Sequence, residues 1–119
     1  MSGNVKFDKW INDDNSENYK CRAWVNFNGT GTVAIRASGN VSSITDNGTG
    51  DYTVNLTIAM SDANYAVSGT CHTPATTTGI LSPPFASSAN QTTASVRVGT
   101  VSEANILFDA SFVQVAIFR

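Results

Sequence analysis

DYTVNLTI, Asp51–Ile58, decides the fold. Tyr52, Val54, Leu56 and Ile58 alternate with Thr53, Asn55 and Thr57, so one side of the segment is apolar and the other is neutral and polar. A period of two marks a β-strand with one face in a core and one in water. Directly before it stands NGTG, Asn47–Gly50, and the same four residues occur at Asn28–Gly31. Asn-Gly tolerates the positive φ that tight hairpins require. Each copy lies where one alternating run stops and another starts, so both read as turns between antiparallel strands. The second copy, between Asp46 and Asp51, is the better hairpin, and Gly31 in the first leaves room for a bulge. A phosphate cradle is excluded: it would need a GxxxxGK signature entering a helix, and here a strand follows and no lysine is near.

The alternation spreads in both directions. Cys21, Ala23, Val25 and Phe27 share a face, with Arg22, Trp24 and Asn26 on the other. Val33, Ile35 and Ala37 repeat the pattern, NVSSIT is a short strand, and Tyr65, Val67, Gly69 and Cys71 share a face. Ala94, Val96 and Val98 alternate with Ser95 and Arg97, and ANILFDA is a short apolar run. The closing segment FVQVAIFR is apolar on both sides: Val113, Val115 and Ile117 on one, Phe112, Ala116 and Phe118 on the other. No stretch carries a capped helical stripe. Seven or eight short strands predict an all-β, antiparallel, jelly-roll-like sandwich.

Length and composition agree. The 119 residues suit one domain, and charged residues make up only 13 %, with Ser, Thr and Asn in their place. The formal net charge of -2 comes with no basic stripe, which argues against nucleic acid as a partner. No segment is long and apolar enough to span a membrane, and the N-terminus lacks the apolar centre of a signal peptide. The five Asn-x-Ser/Thr matches, at Asn28, Asn40, Asn47, Asn55 and Asn90, are then by-products of an Asn- and Thr-rich chain. Cys21 and Cys71 read as two buried free thiols in a chain made in a reducing cytosol, the alternative being a disulfide if their strands pair.

The domain is expected over 19–119, with residues 1–18 as an assembly arm. The arm lacks a period of two, and its apolar residues Phe7, Trp10 and Ile11 offer anchors to a neighbour. NDDNSEN has oxygen donors but no calcium-loop spacing. Phe112, Val113, Val115, Ile117 and Phe118 are expected in a subunit contact, because a surface strand of a monomer should show one polar face and burial on both sides needs either a partner subunit or a central position. His72 is the one histidine and has no metal-ligand pattern around it, and no spacing favours any pair of acids as a catalytic couple. Neither an enzyme nor a cofactor is expected.

Two places suggest binding. Trp24 and Tyr19 flank Arg22 and offer a platform on which a sugar ring could stack; otherwise Trp24 covers the outer side of the sandwich or a subunit contact. The segment His72–Thr92 has no clean period. It supplies hydroxyls at Thr76, Thr77, Thr78, Ser87 and Ser88 and apolar contact at Ile80, Leu81 and Phe85, with Pro83 and Pro84 holding the chain extended. A connection of that length is a recognition surface or a loop folded onto the core, with a missed strand near Thr78–Leu81 as a further option.

The run from Ala23 to Gly69, AWVNFNGTGTVAIRASGNVSSITDNGTGDYTVNLTIAMSDANYAVSG, resembles the C-terminal domains of bacteriophage tail-fibre and related virion proteins. VQVAIF, Val113–Phe118, looks like the closing strand of those domains. The resemblance runs from about residue 20 to the end, weakly over 72–92, and leaves the arm out. It implies a small β-sandwich that assembles as a homotrimer on the outside of a virion, touches other virion proteins and contacts host-surface glycan, with no shared catalytic residues. Tail fibres usually dock through a long N-terminal part, and an eighteen-residue arm stands in its place here. A capsid decoration or cement protein is therefore the alternative.

Overall fold

The structure, a computed structural model, describes residues 3–73 and 79–119. Eight strands follow in chain order: β1 Cys21–Asn28, β2 Ala34–Gly39, β3 Val41–Gly48, β4 Asp51–Leu56, β5 Ala66–His72, β6 Gly79–Ser82, β7 Ser95–Ser102 and β8 Phe112–Phe118. They form two antiparallel four-stranded sheets, ordered β2-β1-β8-β5 and β3-β4-β7-β6. Apart from one short 3-10 turn at Ser88–Asn90, no helix occurs among the described residues, and none is long and apolar enough to cross a membrane.

The period of two places the core. Tyr52, Val54 and Leu56 on β4 and Val96 and Val98 on β7 face Ala23, Val25 and Phe27 on β1 and Val113, Val115 and Ile117 on β8, in one shared cluster. Full burial of such side chains is worth roughly 1.5–3 kcal/mol each. Thr53 and Asn55 turn to the outside, where the Asn55 amide donates to Ser43 and Thr45 hydroxyls across the β3–β4 pair. Among the described residues no buried side-chain nitrogen or oxygen lacks a partner.

Two readings of facing are corrected by bulges. In the β1–β2 pair Asn26 lies opposite Ala37 and Phe27 opposite Ile35, so Arg36 is an extra residue. Val33 and Ile35 pack on the core, but beyond the bulge the phase reverses and Ala37 is exposed. The β1–β8 register likewise slips between Cys21 and Ala23, which leaves Cys21 exposed rather than buried. Cys71 is buried, which pushes its thiol pKa up. Both cysteines are free, and β8 lies between their strands. Two interstrand spacings of about 4.8 Å exceed the Cα separation a disulfide allows.

The repeated NGTG does more than turn the chain. The second copy closes β3 onto β4 with the two residues Thr49 and Gly50. Gly50 has φ +64°, and a Cβ there would lie 2.7 Å from the Thr100 carbonyl oxygen and 2.8 Å from that of Phe108. Its N–H donates to Asp109 Oδ1 at 2.8 Å. The first copy is a wider loop, with Asn28 Oδ1 accepting from the Thr30 N–H and hydroxyl. Its Gly29 donates to the Ala110 carbonyl at 2.8 Å. Tyr52, fully buried and edge-on to Phe27, reaches both the Gly29 carbonyl (2.9 Å) and Asp109 Oδ1 (3.0 Å) through its hydroxyl. Burial, then the Asp109 hydrogen bond, pushes its phenol pKa up. One glycine from each copy thus clasps the 108–110 segment, closing one end of the two-sheet body.

At the β2–β3 crossing between sheets, Asn40 takes a left-handed conformation, φ 55°. Its amide donates to the Arg22 and Ile58 carbonyls and accepts from the Ile58 N–H. This fully used side chain is one of the Asn-x-Ser/Thr matches.

Candidate functional site

The outer face of the β2-β1-β8-β5 sheet carries the candidate site. Cross-strand register sets its rows: Trp24 beside Ala116 beside Ser68, then Asn26 beside Gln114 beside Thr70. Ala116 and Ser68 are short, so the sheet is low next to the indole. The result is an open depression of about 440 Å³ lined chiefly by Trp24, Asn26, Ser68, Thr70, Gln114 and Ala116. Trp24 is 44 % exposed. Its indole lies over Gly39, where a Cβ would come within 2.4 Å of the indole nitrogen. Glycine opposite tryptophan therefore lets the ring rest on β2.

The bulge residue Arg36 borders this depression. Its guanidinium donates to Asn26 Oδ1 (3.3 Å) and to the Ser111 carbonyl (2.7 Å), and its carbon stands 4.1 Å from the Phe112 ring centroid. A bulge re-aims the side chain it carries, and here it brings a cation to the sheet's outer surface. An aromatic face for stacking, amides and hydroxyls for directional bonding and a bordering cation suit a hydroxylated ring better than an apolar ligand.

The expected site residues divide between the two sheets. Trp24 is in the depression, whereas the 79–92 segment lies against the other sheet. Gly79–Ser82 forms β6 against β7, the strand near Thr78–Leu81 that periodicity left open. Phe85 seats over Gly99, whose absent Cβ would lie 2.3 Å from the ring, and its N–H donates to the Arg97 carbonyl. Arg97 in turn holds Asp51 with two bonds, at 2.7 and 2.5 Å, which lowers the Asp51 pKa. Pro83 and Pro84 are half-buried and joined by a cis peptide. Ser87 caps the turn at Ser88–Asn90 by accepting from the Ala89 N–H, and both serines are exposed. Thr76, Thr77 and Thr78 lie outside the described residues.

The expected assembly residues also separate. Val113, Val115 and Ile117 point inward and are 0–3 % exposed within one chain, so they build the core and touch no neighbour. The reason is position: β8 is a central strand, between β1 and β5. Phe112 and Phe118 point outward and are 36 % and 41 % exposed. In the arm, Phe7 and Trp10 pack edge to face at 6.0 Å, and Ile11 bridges Glu17. All three apolar side chains are about half exposed. His72 is exposed and leans on Phe112, and among the described residues no group of three His, Cys, Asp or Glu side chains could hold a metal ion.

Sequence reasoning singled out Trp24 but missed Asn26, Gln114, Ser68 and Thr70 as its neighbours. Strand order alone brings them together, and only the outward parity of each on its own strand was legible.

No protein-family model, curated protein or solved structure matches the chain.

Proposed function

We propose that this chain is an exterior domain of a bacteriophage virion, of the tail-fibre or tail-tip kind, that contacts host-surface glycan through the outer face of the β2-β1-β8-β5 sheet. The observation that carries the reading is the half-exposed Trp24 indole, resting on Gly39 beside the amides of Asn26 and Gln114. The sequence resemblance of Ala23–Gly69 and Val113–Phe118 supports the virion setting. The winding is taken as jelly-roll-like in that the first and last strands lie side by side. The working state is a homotrimer, with Phe7, Trp10 and Ile11 of the arm and the outward Phe118 as its contacts or as contacts to other virion proteins. The chain acts by binding, without catalysis or a cofactor.

Capsid decoration is the second reading, and the Phe7–Trp10 pair favours it: two exposed aromatic rings on a polar arm suit docking onto a shell. The readings separate on Trp24→Ala. Under the first, purified protein loses about fivefold or more in affinity for host polysaccharide, since stacking contributes about 1 kcal/mol or more. Particles carrying the variant then adsorb less to cells. Unchanged adsorption gives the decoration reading. Sedimentation at micromolar concentration tests the trimer, and a monomer throughout would remove it.

A further inference from the structure

The charge around the Trp24 face is one-sided. Arg36 on β2 stands at its border, bonded to Asn26. The ion pairs of the described residues use Lys9, Arg97 and Arg119, and leave Arg36 without a carboxylate. Arg36 bonds only neutral oxygens, those of Asn26 and Ser111. Among the described residues no Asp or Glu lines the depression. The chain as a whole carries a formal charge of -2, so this surplus runs against the average.

Arg36 also decides which end of the Asn26 amide meets a ligand. A guanidinium only donates, so the atom it faces is the Asn26 carbonyl oxygen, and Nδ2 with its two protons is left over. Arg36 is itself held by the Ser111 carbonyl and the Phe112 ring. The border of the depression next to Asn26 is thus fixed as a donor surface. Asn26 lies two residues beyond Trp24 on the same face, about 7 Å along the strand. That is the span from one sugar ring to a charged group on it or on its neighbour.

We infer that, given the sugar-binding reading above, the ligand of this face is an anionic saccharide, its ring on Trp24 and its anionic oxygens at Asn26 Nδ2 and the Arg36 guanidinium. A carboxylate on a uronic or similar acid and a phosphate on a neutral sugar share this chemistry. Arg36 is both the countercharge and the residue that positions Asn26.

The test is calorimetric titration of the full chain with three tetrasaccharides of one linkage: a uronate, its neutral counterpart and a singly phosphorylated neutral one. At least one anionic form should bind about tenfold or more tighter than the neutral one, the usual worth of a hydrogen bond to a charged group. The advantage should shrink at high ionic strength, and the stronger anion identifies the source. Asn26→Asp keeps a partner for Arg36 but puts a carboxylate in the depression; it should erase the preference for the anionic form. Arg36→Gln should do the same, and Arg36→Lys should restore only part, because the forked geometry is lost. Equal affinity for neutral and anionic forms overturns this inference and leaves sugar binding standing. No binding of any form overturns both. So does an oligomer that buries Trp24 and falls apart on Trp24→Ala.

Discussion

Replacing Gly50 with alanine should unfold the closed end of the protein, whereas the same change at Gly31 should be mild. Both glycines have positive φ, +64° and +58°. Alanine in that region costs about 1–2 kcal/mol, partly offset by about 0.4–1 kcal/mol from the stiffer unfolded chain. At Gly31 nothing lies within 4 Å of the new Cβ, so the net loss is about 1 kcal/mol. At Gly50 the Cβ would meet three backbone atoms, the Thr100 oxygen at 2.7 Å and the Phe108 oxygen and nitrogen at 2.8 and 2.9 Å. Backbone cannot rotate aside, so the 108–109 segment must lift off β7. Three hydrogen bonds go with it: Thr100 hydroxyl to Phe108 carbonyl, Phe108 N–H to Thr100 carbonyl, and Gly50 N–H to Asp109. At about 1 kcal/mol each the total reaches roughly 4 kcal/mol. With a urea slope of about 2 kcal/mol/M the midpoint falls by about 2 M, against about 0.5 M for Gly31→Ala. Equal midpoints for the two variants would mean that the second NGTG is only a turn and that the clasp contributes nothing.

Other outcomes follow from the same contacts. Tyr52→Phe keeps the packing on Phe27 but leaves the Gly29 carbonyl and Asp109 without the hydroxyl, and should cost about 1–3 kcal/mol in urea titration. Asp51 has a carboxyl pKa depressed below the ordinary 3.8 by Arg97, so its contribution is present above that value and is lost as pH falls through the folded pKa. Asp51→Asn should therefore be less stable than the parent at neutral pH, with the gap in thermal midpoint closing in strong acid. Gly39→Ala needs no unusual φ but drives a methyl into the Trp24 indole, so tryptophan fluorescence and polysaccharide affinity should change while the urea midpoint stays nearly the same. Deleting residues 1–18 should leave the β circular dichroism spectrum intact, because the side-chain hydrogen bonds of the described arm residues run within the arm or to Lys20.

What the sequence disclosed was decided by range. Tyr52, Val54 and Leu56 could be placed in a core because burial parity is a property of neighbouring residues. Ala37 and Cys21 were misplaced because a bulge is set by the partner strand, whose register a single strand does not contain. Val113, Val115 and Ile117 were read as assembly contacts because an apolar strand looks the same whether it is central or covered by a neighbour. Phe85 was read as a recognition group because its partner, Gly99, shows no side chain to suggest a contact. The Trp24 depression draws on β1, β5 and β8, and only the tryptophan itself stood out in advance.

The pairing of β1 with β8 also constrains how the protein is made. Val25 lies opposite Val115 and Ala23 opposite Ile117. On a ribosome, β1 emerges first and its neighbour β8 last, so the sheet that carries Trp24 stays open until almost the whole domain has been synthesised. The β3–β4 hairpin, closed by two residues, can form long before. During that interval Val25 and Phe27 have no permanent cover, and pairing across such a separation is intrinsically slow. The nascent chain is then most exposed to aggregation just before the clasp closes, and the Ser-, Thr- and Asn-rich outer positions, which resist strand-to-strand sticking poorly compared with charges, make folding speed matter more than final stability.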